Sequence, residues 1–104
     1  MASTVDYVRI TRSDRPEKKL KAVFYLKNGR TKTTHFGAAG MSDYTKHKDK
    51  ERQARYLARH RTSERWTDMF SAGSLSRWIL WNKPSLAASI RDYGSRFRVH
   101  VRVH

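Results

Sequence analysis

The chain has 104 residues, with 23 Lys and Arg against 9 Asp and Glu and a net charge of +14, and its pI is about 10.8. That length holds one domain with a modest core, and the longest uninterrupted apolar run, Ala22 to Leu26, is too short to cross a bilayer or to form the core of a secretion signal. Without cysteine there is neither a disulfide framework nor a thiolate metal site, which fits synthesis in a reducing cytosol. The basic excess is spread along the whole chain, so the expected partners are anions: nucleic acid, an acidic protein, or membrane headgroups met peripherally.

Tyr7 to Thr11 alternates in polarity, and the SDRPEK stretch that follows is turn chemistry. Lys19 to Lys27 alternates strictly, with Leu20, Ala22, Phe24 and Leu26 on one face and Lys19, Lys21, Val23, Tyr25 and Lys27 on the other. Asn28-Gly29 is a strong hairpin signal, and Arg30 to Phe36 is Thr-rich and β-prone. A two-residue turn here pairs Lys27 with Arg30 and places Thr31, Thr33 and His35 on the face of Ala22, Phe24 and Leu26. The N-terminal third therefore reads as a three-stranded antiparallel meander.

The GAAG run from Gly37 to Gly40 ends the sheet, its glycines read as turn positions with positive φ. Ser42 is the expected N-cap of a helix running to about Arg61, with Asp43 in the first turn. On one continuous helix Lys48, Arg52, Arg55 and Arg59 form a stripe roughly 16 Å long, enough to meet two or three successive phosphates. Asp43, Asp49 and Glu51 neutralise only part of it, although Arg52 or Arg59 can alternatively pair with Asp43, Asp49 or Asp92.

A loop with Trp66 and Gly73 follows, then a short helix capped by Ser74 and ending near Trp81. A second short helix starts at Pro84, carries Leu86, Ile90 and Tyr93 on one face and is stopped by Gly94. The tail alternates Phe97, Val99, Val101 and Val103 against Arg96, Arg98, His100, Arg102 and His104, a strand in need of a sheet edge or a second molecule. The whole reads as α+β: one domain over residues 1–94, with 95–104 as a basic strand or extension.

The anion-binding candidates are thus Lys48, Arg52, Arg55 and Arg59, joined by Arg96, Arg98 and Arg102 on the tail. Gly37, Gly40, Asp43, His47, Trp66 and Trp81 read as a structural motif in which Asp43 and His47, one turn apart, tie the helix to the GAAG loop. An acid–base or metal pair formed by these two with His35 or His60 is the sharper alternative, but zinc would need further ligands that the chain offers only as scattered candidates. The GAAG run lacks the Gly-Lys-Ser/Thr of a phosphate cradle. Trp66, Trp78 and Trp81 read as core, with base stacking as the alternative. No catalytic residue, metal or cofactor is assigned.

The stretch HFGAAGMSDYTKHKDKERQARYLARH, followed by ERW and SAGSLSRWILWNKPSLAASIRDY, resembles a small basic domain family encoded by nucleocytoplasmic large DNA viruses. The pattern lies on Phe36, Gly37, Gly40, Ser42, Asp43, Tyr44, His47, Asp49, Arg52, Tyr56, Arg59, His60, Trp66, Gly73, Ser76, Leu80 and Trp81, within Thr31 to Tyr93. The resemblance implies a viral origin and a single α+β domain, without catalytic roles to carry over. The expected function is a non-enzymatic viral protein, made in the host cytoplasm or viral factory and carried into the virion, that binds nucleic-acid backbone. A minor capsid protein that meets acidic capsid proteins and self-associates through Arg96 to His104 is the second reading, and a metal-independent nuclease the third.

Overall fold

The computed structural model describes residues 4–62 and 65–103. Three strands, β1 (Val5–Arg12), β2 (Lys18–Leu26) and β3 (Thr31–Ala38), form an antiparallel meander, and a short strand β4 (His100–Arg102) adds in parallel to β1. The sheet order is β3-β2-β1-β4. Between β3 and β4 run α1 (Tyr44–His47), α2 (Lys50–His60), α3 (Ala72–Leu75) with a wider π-turn over Ser76–Leu80, and α4 (Leu86–Phe97). The fold is α+β.

The core forms where the apolar face of the sheet meets the later helices. Val8, Ile10, Ala22, Phe24 and Phe36 bury against Leu75, Ile79, Leu80, Ile90 and Tyr93, the hydrophobic burial that drives a domain of this size to fold. A bulge between Val5 and Tyr7 lets Val5 share the buried side with Val8 despite the odd spacing. Burial of Tyr93 raises the pKa of its hydroxyl, which donates a 2.8 Å hydrogen bond to the Met69 carbonyl.

Four expectations are corrected. The β2–β3 turn holds three residues, Lys27 to Gly29: Leu26 N–H donates to the Arg30 carbonyl and Gly29 has φ 89, a turn closed by a left-handed glycine. Ala22 therefore pairs with Thr34, Phe24 with Lys32 and Leu20 with Phe36, so Thr31, Thr33 and His35 lie opposite to the face expected for them. The long helix is broken: Lys48 takes left-handed φ 56 and closes α1, and Asp49 caps α2 by accepting N–H bonds from Glu51 and Arg52 at 2.9 and 3.3 Å. The caps move too, from Ser42 to Asp43 and from Ser74 to Ser71. Finally, α4 runs through Gly94 to Phe97 and closes on left-handed Arg98, so Arg96 and Arg98 are not in the strand. His104 lies outside the described residues.

Candidate nucleic-acid interface

Two faces among the described residues are candidates to meet an anion, α2 and the sheet face turned from the helices. The first is α2. Its inner side holds Tyr56, buried and stacked on Trp81 at 4.2 Å, while Gln53 donates to the Trp81 and Asn82 carbonyls. These contacts turn Arg52, Arg55 and Arg59 outward, and all three are exposed. Arg55 pairs with Glu51 at 3.9 Å with both groups largely in solvent, a pair of little energetic weight, and the Arg55 charge also reaches the exposed N-cap carboxylate of Asp49. Arg52 and Arg59 have no acidic partner among the described residues, and Arg59 lines a cleft shared with Lys18 and His60. Lys48 drops out of the stripe, because the left-handed break swings it to the end of α1, where its Nζ reaches the Thr45 carbonyl.

The tail arginines do not act as a set. Arg96 pairs with Asp92 at 3.5 Å and lies 3.7 Å above the Trp78 ring. Arg77 lies 4.1 Å from the same ring and 5.2 Å from Trp66, and burial, then the nearby Arg96 charge, lowers its pKa. This corner is held together by cation–π contact. Arg98 is a helix cap, and Arg102 lies on the far side of the sheet over the Tyr7 ring.

The second surface, the sheet face turned from the helices, was not found as a site in the sequence. By strand alternation and register it carries Tyr7, Arg9 and Thr11 from β1, Lys21, Val23 and Tyr25 from β2, Thr31, Thr33 and His35 from β3, and His100 and Arg102 from β4. Tyr7 and Tyr25 stack at 4.4 Å and 12°, Arg102 lies 4.3 Å above Tyr7, and Arg9 is 5.8 Å from Tyr25. Lys21 is bound to Asp14 at 3.3 Å, and His35 Nδ1 is 2.7 Å from the Ser13 hydroxyl. The signal was present in the polar half of the β2 alternation, but only the correct β3 register and the parallel seating of β4 assemble it.

The remaining motif residues make contacts within the fold. Asp43, 1% exposed, takes a 2.5 Å ion pair from Lys19 and hydrogen bonds from the Thr45 amide and hydroxyl, so it fastens α1 to β2 instead of to the GAAG loop. His47 accepts the Asp49 N–H on Nδ1 and packs on Trp81, away from any proton-transfer pairing with Asp43. Gly37 and Gly40 have φ 80 and 83. The Trp66 carbonyl accepts from Ser74 and the Trp78 indole. Among the described residues no cluster of His, Asp or Glu is arranged to hold a metal ion, and no helix is long and apolar enough to cross a membrane.

Fold and surfaces together define a small basic α+β domain with helices on one side of its sheet and an aromatic, cationic face on the other. Residues 8–60 match the family of unknown function DUF5754, and the chain belongs to that family. The match begins earlier than the resemblance read from the sequence, taking in most of β1 and all of β2, and stops before the tryptophan segment. No curated protein and no solved structure matches the chain.

Proposed function

We propose that this chain is a non-enzymatic protein that binds the backbone of nucleic acid through α2. The observation that carries the reading is the row Arg52, Arg55 and Arg59: exposed, held on one side of a helix anchored by Tyr56, and among the described residues only weakly offset by exposed Glu51 and the N-cap Asp49. Like charges at this spacing disfavour an isolated helix, and a polyanion reverses that sign. Such contacts position a protein on nucleic acid without reading its sequence. In the viral setting implied by the resemblance, the protein works in the viral factory and enters the virion with the genome.

A specific observation favours the second reading, a minor capsid protein. Leu86 and Val103, exposed at 39% and 53%, line one groove beside the outer edge of β4, and an open sheet edge flanked by apolar side chains suits addition of a neighbour's strand.

Titration of a short DNA duplex at several salt concentrations tests the first reading. With three to four phosphates neutralised, log K is expected to fall against log salt with a slope of about −3 to −4, and converting Arg52, Arg55 and Arg59 to Glu should abolish measurable binding. A flat salt response, or an unaffected triple variant, rejects backbone binding through α2.

A further inference from the structure

The Tyr7–Tyr25 pair has a geometry that points to a ligand. The two residues face each other across β1 and β2, and their ring separation of 4.4 Å nearly equals the spacing of neighbouring strands, about 4.8 Å. The ring planes therefore stand upright and stack across the strands, in the order Arg102, Tyr7, Tyr25. The next position in that row is Thr31, paired with Tyr25 on β3 and exposed. Its side chain is too short to cover an aromatic ring, so the row of stacked planes stops one layer short of the sheet edge.

We propose that the uncovered sheet face is a stacking site for the bases of single-stranded nucleic acid, with one base continuing the Arg102–Tyr7–Tyr25 row above Thr31. A planar ring matching the tyrosine suits that slot, because every base has a π-face and stacking tolerates any sequence. Cations for the strand's phosphates stand near it: Arg9 on the face, and exposed Lys27 in the adjoining turn. Asp6, the Lys21-bound Asp14 and Glu17 lie at the ends of this face, on the bulge and in the β1–β2 turn. A duplex cannot use the slot, since its bases are already stacked on each other.

The inference rests on the nucleic-acid reading above but on different residues, which makes the two separable. Oligothymidylate and a DNA duplex of equal charge would be titrated against wild type, Tyr25→Ala and Tyr25→Phe. Tyr25→Ala is expected to weaken oligothymidylate binding about five- to a hundredfold and to leave duplex binding unchanged, while Tyr25→Phe retains both. Ultraviolet crosslinking of 5-bromouracil-substituted oligonucleotide to the wild-type chain should map to the Tyr7 or Tyr25 peptide, a readout that stands even if the alanine variant does not fold. Equal oligothymidylate affinity in a folded Tyr25→Ala variant, or crosslinks confined to α2, overturns the stacking site and leaves backbone binding intact. Absence of binding to either probe at low salt overturns both.

Discussion

Gly37 shows how one residue sets the distance between the two layers. It sits near the end of β3 with φ 80, and a Cβ there would come 2.7 Å from Leu80 Cδ1 and 3.3 Å from Lys19 Cβ. Both the backbone conformation and the packing of the π-turn on the sheet require its missing side chain. Gly40 has nearly the same φ, 83, but nothing within 4 Å of its Cβ position. Gly37→Ala should therefore cost about 2 to 4 kcal/mol, combining strain with overpacking, whereas Gly40→Ala should cost about 1 kcal/mol, from strain alone. Denaturant melts of the two variants check this, and equal losses would show that the layer contact does not depend on Gly37. The close approach at Gly37 could not be seen in the sequence, because Leu80 is far away in the chain and the contact exists only after the helices fold back.

At the scale of elements, the break between α1 and α2 decides which cations stand together. Asp49 accepts N–H bonds from Glu51 and Arg52, and the Arg52 bond, the largest influence, lowers the carboxyl pKa below its ordinary 3.8. A lowered carboxyl pKa favours the folded state above the unfolded value, and that contribution is lost as pH falls through the native value. Asp49→Ala should reduce helicity and melting temperature near neutral pH, Asp49→Asn should keep most of both, and the alanine variant should lose less stability on acidification below about pH 4. Circular dichroism melts across that range test it, and identical curves for Asp49→Ala and wild type would show that the cap is dispensable. The meander and the C-terminal strand were legible because alternation and turn residues signal strands locally. The helix break was not, because Lys48 gives no hint of a left-handed conformation and Asp49 is equally at home on a helix surface. The β3 register failed for a related reason: Asn-Gly permits both a two-residue turn and a longer one, and a one-residue difference exchanges the faces. Hence Arg52, Arg55 and Arg59 could be picked out from sequence, whereas the grouping of Tyr7, Tyr25, Arg9 and Arg102 could not.

Across the whole molecule, the basic residues are spread along the chain, with α2 and the open sheet face among the places that carry them, so a polyanion can meet them on more than one side. The last strand closes this arrangement: β4 pairs in parallel with β1, Tyr7 with His100 and Arg9 with Arg102, and seats Val99 and Val101 against the core. The tail thus has two roles at once, with Val101 on the buried side and Arg102 above Tyr7 on the open one. Gly94 makes the seating possible, since a Cβ there would lie 3.0 Å from the Val99 carbonyl and 3.2 Å from Val101 Cγ2. Ending the chain after Arg98 removes β4 and the Val99 N–H bond to the Gly94 carbonyl but leaves α4 with its Arg98 cap residue, and loss of the two half-buried valines should lower stability by about 2 to 4 kcal/mol. Melting and sedimentation of the truncated chain separate the possible roles. A lower melting temperature with an unchanged monomer identifies β4 as part of the fold, whereas an unchanged melting temperature with lost self-association would make the edge an assembly strand. Should both stay the same while only nucleic-acid affinity falls, the residues after Arg98 serve as an electrostatic arm and their packing on β1 adds nothing to stability.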